Sequence, residues 1–192
     1  MQTTPDPPPP FPVLHTARLV LRELTATDAL ALFAIHGDAQ HMRWYGTDPL
    51  PDLGAAAALV ARFASWRLQP NPGTRWGIAL GDGGPLLGTC GLFQWHRGWH
   101  KCALGYELAA QAQGQGYMRE ALQAVLDWGC ADMALNRVEA QVHPENAPSL
   151  KLLKRLGFVE EGRLRQQGCW GGQYHDMLQL GLLRAERPPA QR

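Results

Sequence analysis

The segment between residues 105 and 122 has the residue pattern with the clearest chemical potential. It reads GYELAAQAQGQGYMREAL, in which a strand-like run leads into residues 111–116 and a helix-like run follows at once. Glycines at positions 114 and 116 allow successive backbone N–H groups to point into one hollow, with the positive end of the helix dipole behind them. Such a hollow is suited to a phosphate or pyrophosphate group.

Two familiar phosphate-binding motifs do not fit this segment. A Rossmann G-x-G-x-x-G motif requires glycine where Arg119 stands, and a P-loop requires Gly-Lys-Ser/Thr at its end. An ordinary strand-to-helix turn, with glycines needed only for positive φ angles, remains an alternative. Arg119 favours the anion site, because a cation in the first helical turn costs about 0.3–1 kcal/mol against the helix dipole and a bound anion reverses that sign.

The composition excludes several classes of protein. The 192 residues are 45% hydrophobic, and 18 Lys and Arg against 17 Asp and Glu leave a net charge of +1. This length predicts one domain, and the balanced charge gives no reason to expect a nucleic-acid or membrane partner. The most apolar run, residues 53–64, is too short to span a bilayer, and the first residues lack a signal-peptide pattern. A cytoplasmic location is therefore expected.

Cysteine and histidine spacing gives no indication of a metal site. The four cysteines form no Cys-x-x-Cys pair, so reduced and mostly buried thiols are expected. His96 and His100 have a spacing that could bind a metal on a helix, but a turn between strands does not align two imidazoles. No metal is expected.

Strand-like and helix-like hydrophobic patterns alternate along the chain. This alternation predicts one α/β domain, in which helices cover the faces of a mixed sheet. The domain is expected over residues 14–184, between a Pro-rich flexible tail at 1–13 and a C-terminal tail at 185–192. Strands are predicted at 17–24, 76–80, 86–95, 102–109, 137–142, 158–164 and 174–183, and helices between residues 25 and 37 and at 53–67, 118–129 and 147–156.

The glycine-containing turn resembles a known signature. Gln111-x-x-Gly114-x-Gly116 is similar to the acyl-CoA signature Q/R-x-x-G-x-G/A of the GNAT N-acetyltransferases. Three further segments resemble, in the same order, the GNAT branch that acetylates ribosomal-protein N-termini, the RimJ/RimL type. They are LHTARLVLREL at 14–24, HMRWYGTD at 41–48, and Asn146-x-x-Ser149 followed by LLKRLGFVEEGRLR at 152–165. The resemblance covers residues 14–184.

This resemblance implies a fold, a cosubstrate and a reaction. The fold is a single GNAT-type α/β domain whose mixed, mostly antiparallel sheet splays between its fourth and fifth strands, with helices on its flanks. Acetyl-CoA is the implied cosubstrate, its pantetheine lying in the splay, and no metal takes part. The implied reaction is direct acetyl transfer to a primary amine, with a protein or peptide N-terminal α-amine as the expected acceptor. The residues expected to bind acetyl-CoA are Leu108, Gln113, Gly114, Gln115, Gly116, Tyr117, Met118, Arg119 and Asn146.

The catalytic groups are implied less completely. Ser149 stands at the family position that can protonate the departing thiolate, and Asn146 at the position that reaches the pantetheine amide. From its sequence context alone, Asn146 could equally be the N-cap of the helix that follows Pro144. Both roles are compatible.

The general base is where this chain departs from its relatives. Many members of the branch carry a carboxylate two residues before the Gly-Tyr pair of the central strand, where this chain has Ala103. Some use a glutamate in the last strand pair, and Gly168 occupies that place here. Glu107 is the nearest remaining carboxylate, and the alternative is that it is an outward-facing strand residue.

Aromatic residues could wall an acceptor pocket. Trp44, Tyr45 and Trp95 are assigned this role, and partly buried packing at the rim is the alternative for each. Two other functions stay open, a small-molecule amine acetyltransferase and a non-catalytic module that binds acyl-CoA. The sequence also leaves open whether the chain is a monomer or a homodimer.

Overall fold

A single mixed sheet of eight strands forms the centre of the computed structural model, which describes residues 10–69 and 72–187. Its spatial order is β1-β2-β3-β4-β5-β6-β8-β7, and every neighbouring pair is antiparallel except β5 and β6. The strands are β1 Leu14–His15, β2 Leu19–Arg22, β3 Thr74–Leu80, β4 Leu86–His96, β5 Lys101–Leu108, β6 Arg137–Val142, β7 Val159–Trp170 and β8 Gln173–Leu183. The helices are α1 Ala29–His36, α2 Ala39–Met42, α3 Leu53–Ser65, α4 Tyr117–Asp132 and α5 Ala147–Arg155.

The predicted α/β architecture is confirmed, with differences at the ends of the sheet. The two-residue edge strand β1 was not predicted, and β7 continues to Trp170, beyond the predicted end at residue 164. Because β7 is an edge strand with most of its residues exposed, it carries no hydrophobic alternation that could mark its length. The turn between β7 and β8 consists of Gly171 and Gly172, both at positive φ, whereas Gly168 lies within β7.

The predicted splay lies between β5 and β6. The two strands pair in parallel at only three positions, from Lys101 opposite Arg137 to Ala103 opposite Glu139. Beyond that point β5 continues along β4 and β6 continues along β8, so a wedge opens between them. The small edge strand β1 makes these the fifth and sixth strands of the sheet.

Two hydrophobic clusters cover opposite faces of the sheet. On the α4 face, side chains of β2 to β6 and β8 pack against α4 and α5, with residues such as Leu104 and Leu122 in the larger cluster. On the α3 face, α1 and α3 form a smaller cluster that includes Leu32 and Phe63. Because strand side chains alternate, neighbouring residues of β5 and β6 face these two environments in turn.

Residues just outside the expected domain, 14–184, pack against it at both ends. Phe11 packs edge-on against Trp76 with ring centroids 6.1 Å apart, and the indole N–H of Trp76 donates to the Pro12 carbonyl at 2.6 Å. Arg187 donates to the Leu126 carbonyl at 3.3 Å. Phe11, Pro12 and Arg187, which the sequence assigned to the tails, therefore contact the domain. Residues 1–9 and 188–192 of the expected tails lie outside the described residues.

The four thiols are free, and half of them are buried. Cys90 and Cys102 are buried in the larger cluster, Cys130 is half-buried and Cys169 is exposed. The expectation of mostly buried thiols therefore holds only for the two residues on the central strands. No helix in the described ranges combines the length and apolar character needed to cross a membrane.

Candidate functional site

The wedge between β5 and β6 opens into a cleft of about 1330 Å³. One end of the cleft lies at the turn between β5 and α4. The other, called here the far end, is lined by the segment between α2 and α3 and by the β7–β8 hairpin, including Trp44, Tyr45, Asp48, Gly168 and Trp170. The cleft thus joins the glycine-containing turn to a second, separate set of side chains.

The turn has the shape that its glycines predicted. Gly114 and Gly116 have φ angles of +77° and +81°, and Gly116 is the N-cap of the 16-residue helix α4. A Cβ added at Gly114 would meet no atom within 4 Å, so that side of the turn is open to a ligand. Such an open cradle in front of a helix N-terminus fits the pyrophosphate of acetyl-CoA.

All but one of the residues expected to bind acetyl-CoA line the cleft. The exception is Gln115, whose carbonyl accepts from Arg18 Nη1 at 3.1 Å and whose side chain donates to the Gln111 carbonyl at 3.4 Å. The residues that line the cleft as expected are Leu108, Gln113, Gly114, Gly116, Tyr117, Met118, Arg119 and Asn146.

The edge of β5 presents backbone groups to the wedge. The Ala109 N–H donates to the Leu87 carbonyl of β4 at 2.8 Å. Because antiparallel backbone groups alternate in direction, the N–H and C=O groups of Leu104, Tyr106 and Leu108 face the other way, toward the wedge. Gln113 Nε2 donates to the Leu108 carbonyl at 3.2 Å, which links the turn to this edge. An extended amide such as pantetheine can bond to an edge of this kind as an added strand does.

Ser149 and Asn146 meet at the start of α5. Asn146 caps this helix, since its side-chain oxygen accepts from the Ser149 N–H at 3.2 Å. The N-cap alternative is therefore confirmed, and Asn146 also lines the cleft. The Ser149 hydroxyl lies 2.6 Å from the Tyr106 hydroxyl of β5. Burial raises the pKa of Tyr106 to about 12, so its phenol keeps its proton at neutral pH.

Glu107 is buried, so the outward-facing alternative is wrong. Its side chain is 4% exposed and points to the α3 face, where Arg75 forms an ion pair with it. The other donors to its carboxylate are the Tyr45 hydroxyl at 2.9 Å, His36 Nε2 at 3.2 Å and the Thr89 hydroxyl. Arg75 in turn donates to Tyr45 at 3.0 Å and to Thr89 at 2.7 Å.

This network fixes the charge of Glu107. Burial alone raises the pKa of the carboxyl group, but the Arg75 guanidinium and hydrogen bonds from His36 and Thr89 outweigh it and lower the pKa to about 2. A general base works best with a pKa near the operating pH. Glu107 is therefore a permanent anion that organises its surroundings and a poor acceptor of a proton.

Two of the three predicted aromatic residues line the far end of the cleft. Trp44 and Tyr45 do so, but Trp95 does not. Trp95 packs against the larger hydrophobic cluster, and the Arg97 guanidinium covers its ring at 4.5 Å. The reason is an irregularity in β4, where the pairing shifts between Phe93 and His96 and Gln94 has a φ of +54°. Strand alternation therefore cannot be extended to Trp95.

Trp170, for which no role was predicted, closes the far end. It is 6% exposed, and its indole N–H donates to the Arg43 carbonyl at 2.9 Å. The Gly171 N–H donates to Asp48 Oδ1 at 2.6 Å, so the hairpin tip is held to the segment between α2 and α3 at two points. In the sequence, the position of this tryptophan beside a Gly-Gly pair was the available indication of its role, and it is a weak one.

Groups with metal-ligating potential are not assembled in the described parts of the chain. Residues 10–69 and 72–187 contain no set of three or more His, Cys, Asp or Glu placed to hold a metal ion. His96 instead accepts from the Trp99 N–H at 3.1 Å and stacks on the Trp99 ring.

Comparison with known proteins agrees with this geometry. The family model described as "Acetyltransferase (GNAT) domain" matches residues 18–159. The "Uncharacterized N-acetyltransferase YoaA" of Bacillus subtilis is 35% identical over 169 residues, which cover 86% of this chain and 93% of that protein. The "[Ribosomal protein uS5]-alanine N-acetyltransferase" of Escherichia coli is 31% identical over 183 residues, covering 92% and 93%.

A solved structure shows the same fold. The spermidine N-acetyltransferase from Vibrio cholerae, determined in complex with CoA and spermine, superposes with a TM-score of 0.76 at 21% identity. The match covers 89% of this chain and 98% of that one. The turn, the splayed strands and these similarities together place the chain in the GNAT family of acetyl-CoA-dependent N-acetyltransferases.

Proposed function

We propose that the chain is a RimJ/RimL-type enzyme that acetylates the α-amine of a protein or peptide N-terminus. Acetyl-CoA supplies the activated acetyl group as a thioester. The observation that carries the choice of acceptor is the state of Glu107, whose two oxygens are occupied by Arg75, Tyr45, His36 and Thr89. The carboxylate expected to act as the base is thus held in a structural network. This favours an acceptor amine that is partly deprotonated without a base.

The size of this effect distinguishes two kinds of amine. An α-amine has a pKa of about 7.8 and a lysine side chain about 10.4. At about pH 7.5 roughly a third of α-amines are neutral, against about one lysine in a thousand. That ratio corresponds to about 3 kcal/mol of deprotonation, which an enzyme for lysine must supply and an enzyme for N-termini need not.

The arrangement of the cleft supports one role for each side of the sheet. Leu108, Gln113 and the turn bind acetyl-CoA from the α4 side, where Ser149 is placed to donate a proton to the departing thiolate. The acceptor approaches from the far end, between Trp44 and Tyr45. Glu107 acts as a positioning residue that holds Tyr45 and does not touch the amine. The similarity to the enzyme that acetylates ribosomal protein uS5 supports this choice of acceptor.

A polyamine is the second candidate acceptor. Asp38 and Asp48 line the cleft and would attract a second cationic group, as a polyamine carries. A solved relative of the same fold acts on spermidine. Because the amines of a polyamine are about as basic as lysine, this candidate requires the deprotonation that Glu107 is poorly placed to give.

Release of free CoA from acetyl-CoA, measured with separate acceptors, tests the proposal. The acceptors are a lysine-free peptide with a free N-terminus, a peptide with a blocked N-terminus and an internal lysine, and spermidine. We expect the highest kcat/KM for the free N-terminus at about pH 7.5, since its amine is the most deprotonated. A higher value for spermidine would establish the polyamine function, and a higher value for the lysine peptide would refute the argument from Glu107.

Replacing Ser149 with alanine tests its role as the proton donor. We expect kcat to fall by about 100-fold with little change in the Kd for acetyl-CoA, because the lost interaction belongs to the transition state. The Ser149→Thr variant keeps a hydroxyl group and serves as the matched control. Normal turnover by Ser149→Ala would limit this residue to packing and to its contact with Tyr106.

A further inference from the structure

Ala103, the position that lacks the expected carboxylate, lies directly beside a residue that carries one. Ala103 is the last residue of β5 that pairs with β6, and its cross-strand partner is Glu139. Neighbouring strands are separated by about 4.8 Å, and paired side chains project from the same face. Both residues line the cleft. A carboxylate at position 139 therefore reaches the space that a carboxylate at position 103 would occupy.

The neighbours of Glu139 leave it open toward the cleft. Its partner on the other side is Gly181 of β8, so it stands between two small residues. A Cβ at Gly181 would lie 2.5 Å from Glu161 Oε1 and 2.8 Å from Arg137 Nη1. The Arg137–Glu161 ion pair thus covers the Gly181 side, and on the other side Ala103 places only a methyl group beside Glu139.

Glu139 is held by ion pairs, as Glu107 is, but unlike Glu107 it is accessible. Its Oε1 accepts from Arg137 Nε at 2.8 Å and Lys101 Nζ at 3.2 Å, while Oε2 lies 3.3 Å from Lys101 Nζ. Its side chain is 27% exposed, against 4% for Glu107. Burial raises the pKa of Glu139, but hydrogen bonds from Arg137 and Lys101 outweigh it and lower the pKa. The group is an anion at neutral pH.

Glu139 and Ser149 lie on opposite sides of the sheet. Val138, Ala140 and Val142 of β6 belong to the larger cluster on the α4 face, so Glu139 faces the α3 side. Ser149 and Tyr106 meet on the α4 side of the wedge. With the thioester in the wedge, a carboxylate on one side can receive the attacking amine. A proton donor on the opposite side can then protonate the departing thiolate.

We propose that Glu139 is the catalytic carboxylate that receives the acceptor amine, an inference that rests on the proposed function. The ammonium form of the amine donates a charge-assisted hydrogen bond to the Glu139 carboxylate, which binds and orients it, and the amine loses one proton directly to solvent. The nitrogen lone pair then forms the C–N bond as the C–S bond breaks. Ser149 gives its proton to the thiolate, and the second nitrogen proton returns through solvent to Ser149. One proton is released overall and no electrons are exchanged with another group.

The Glu139→Gln variant tests this role against a matched control. Glu161→Gln removes a carboxylate that shares the partner Arg137 but does not line the cleft. We expect kcat/KM for the free N-terminal peptide to fall about 100-fold in Glu139→Gln, with the loss greatest at low pH where more amine is protonated. We expect Glu161→Gln to stay within about threefold of wild type, as for a surface ion pair. The Kd for acetyl-CoA should be unchanged in both variants.

Relocating the carboxylate gives a second test. The double variant Ala103→Glu with Glu139→Gln moves the carboxylate from β6 to the paired position on β5. We expect its kcat/KM to be about tenfold higher than that of Glu139→Gln alone. An active Glu139→Gln enzyme, or an equal loss in Glu161→Gln, would overturn the role of Glu139 while leaving the proposed function intact. Absence of wild-type turnover on every amine would overturn both.

Discussion

The Gly116→Val variant is expected to bind acetyl-CoA at least about 100-fold more weakly than wild type, as measured by calorimetry. Gly116 has a φ of +81°, and a β-branched residue there costs about 1–3 kcal/mol of backbone strain. A Cβ at Gly116 would lie 3.5 Å from Arg18 Nη2, so a valine should shift the turn whose backbone N–H groups we propose bind the pyrophosphate. Each charge-assisted hydrogen bond lost in this way is worth about 1.5–3 kcal/mol. A loss of about 3 kcal/mol corresponds to roughly 100-fold in Kd.

A second variant separates the backbone strain of a valine at positive φ from the loss of acetyl-CoA binding. Gly83 has a φ of +72° in the β3–β4 turn, an added Cβ there would meet no atom within 4 Å, and the residue does not line the cleft. Gly83→Val should lose similar stability in thermal unfolding and keep wild-type affinity for acetyl-CoA. Equal affinities for Gly116→Val and wild type would mean that the turn is an ordinary strand-to-helix connection, the alternative left open by the sequence.

Replacing Arg75 with leucine is expected to lower the free energy of unfolding by about 3–5 kcal/mol, because the change leaves the buried charge of Glu107 without its ion-pair partner. Arg75 is 3% exposed, and its guanidinium also lies 4.9 Å from the Phe63 ring centroid. Urea unfolding measures the loss. Arg62→Leu is the control, since that exposed guanidinium also lies near Phe63 at 6.0 Å and should change stability by less than about 0.5 kcal/mol.

A double variant and a pH series separate charge from packing. Arg75→Leu combined with Glu107→Gln should be less destabilised than Arg75→Leu alone, because no buried charge remains unpaired. The pKa of Glu107 is about 2 against an ordinary 4.5, so its stabilising contribution is complete above the ordinary value and is lost as pH falls toward 2. Arg75→Leu should lack this acid-sensitive component. An Arg75→Leu variant as stable as wild type would show that the pair contributes nothing net.

The geometry of the turn at residues 111–116 could be predicted from the sequence because its signals are local. Gly114 and Gly116 sit between a strand and a helix, and the chemistry of such a turn depends on backbone groups that neighbouring residues supply. The splay followed from the family resemblance, and the pairing that ends at Ala103 and Glu139 confirms it.

The arrangement at the far end of the cleft and around Glu107 and Glu139 could not be predicted because these residues meet only through the tertiary fold. Arg75 reaches Glu107 from another strand, and Glu139 reaches Ala103 across a parallel pair that no local pattern reveals. Trp95 was misplaced because a single irregularity in β4 rotates the end of the strand. Alternation is a reliable guide to the side of a sheet only where the ladder is regular.

Competition between two acceptors in one reaction is the sharpest test of whether the enzyme prefers an N-terminal α-amine. A lysine-free peptide with a free N-terminus and an N-terminally blocked peptide with one internal lysine are mixed at equal concentration with the enzyme and acetyl-CoA. Mass spectrometry then measures the acetylated fraction of each during initial turnover. We expect preferential acetylation of the free N-terminus. Preferential acetylation of the blocked lysine peptide, or binding of acetyl-CoA without acetylation of either peptide, would contradict it.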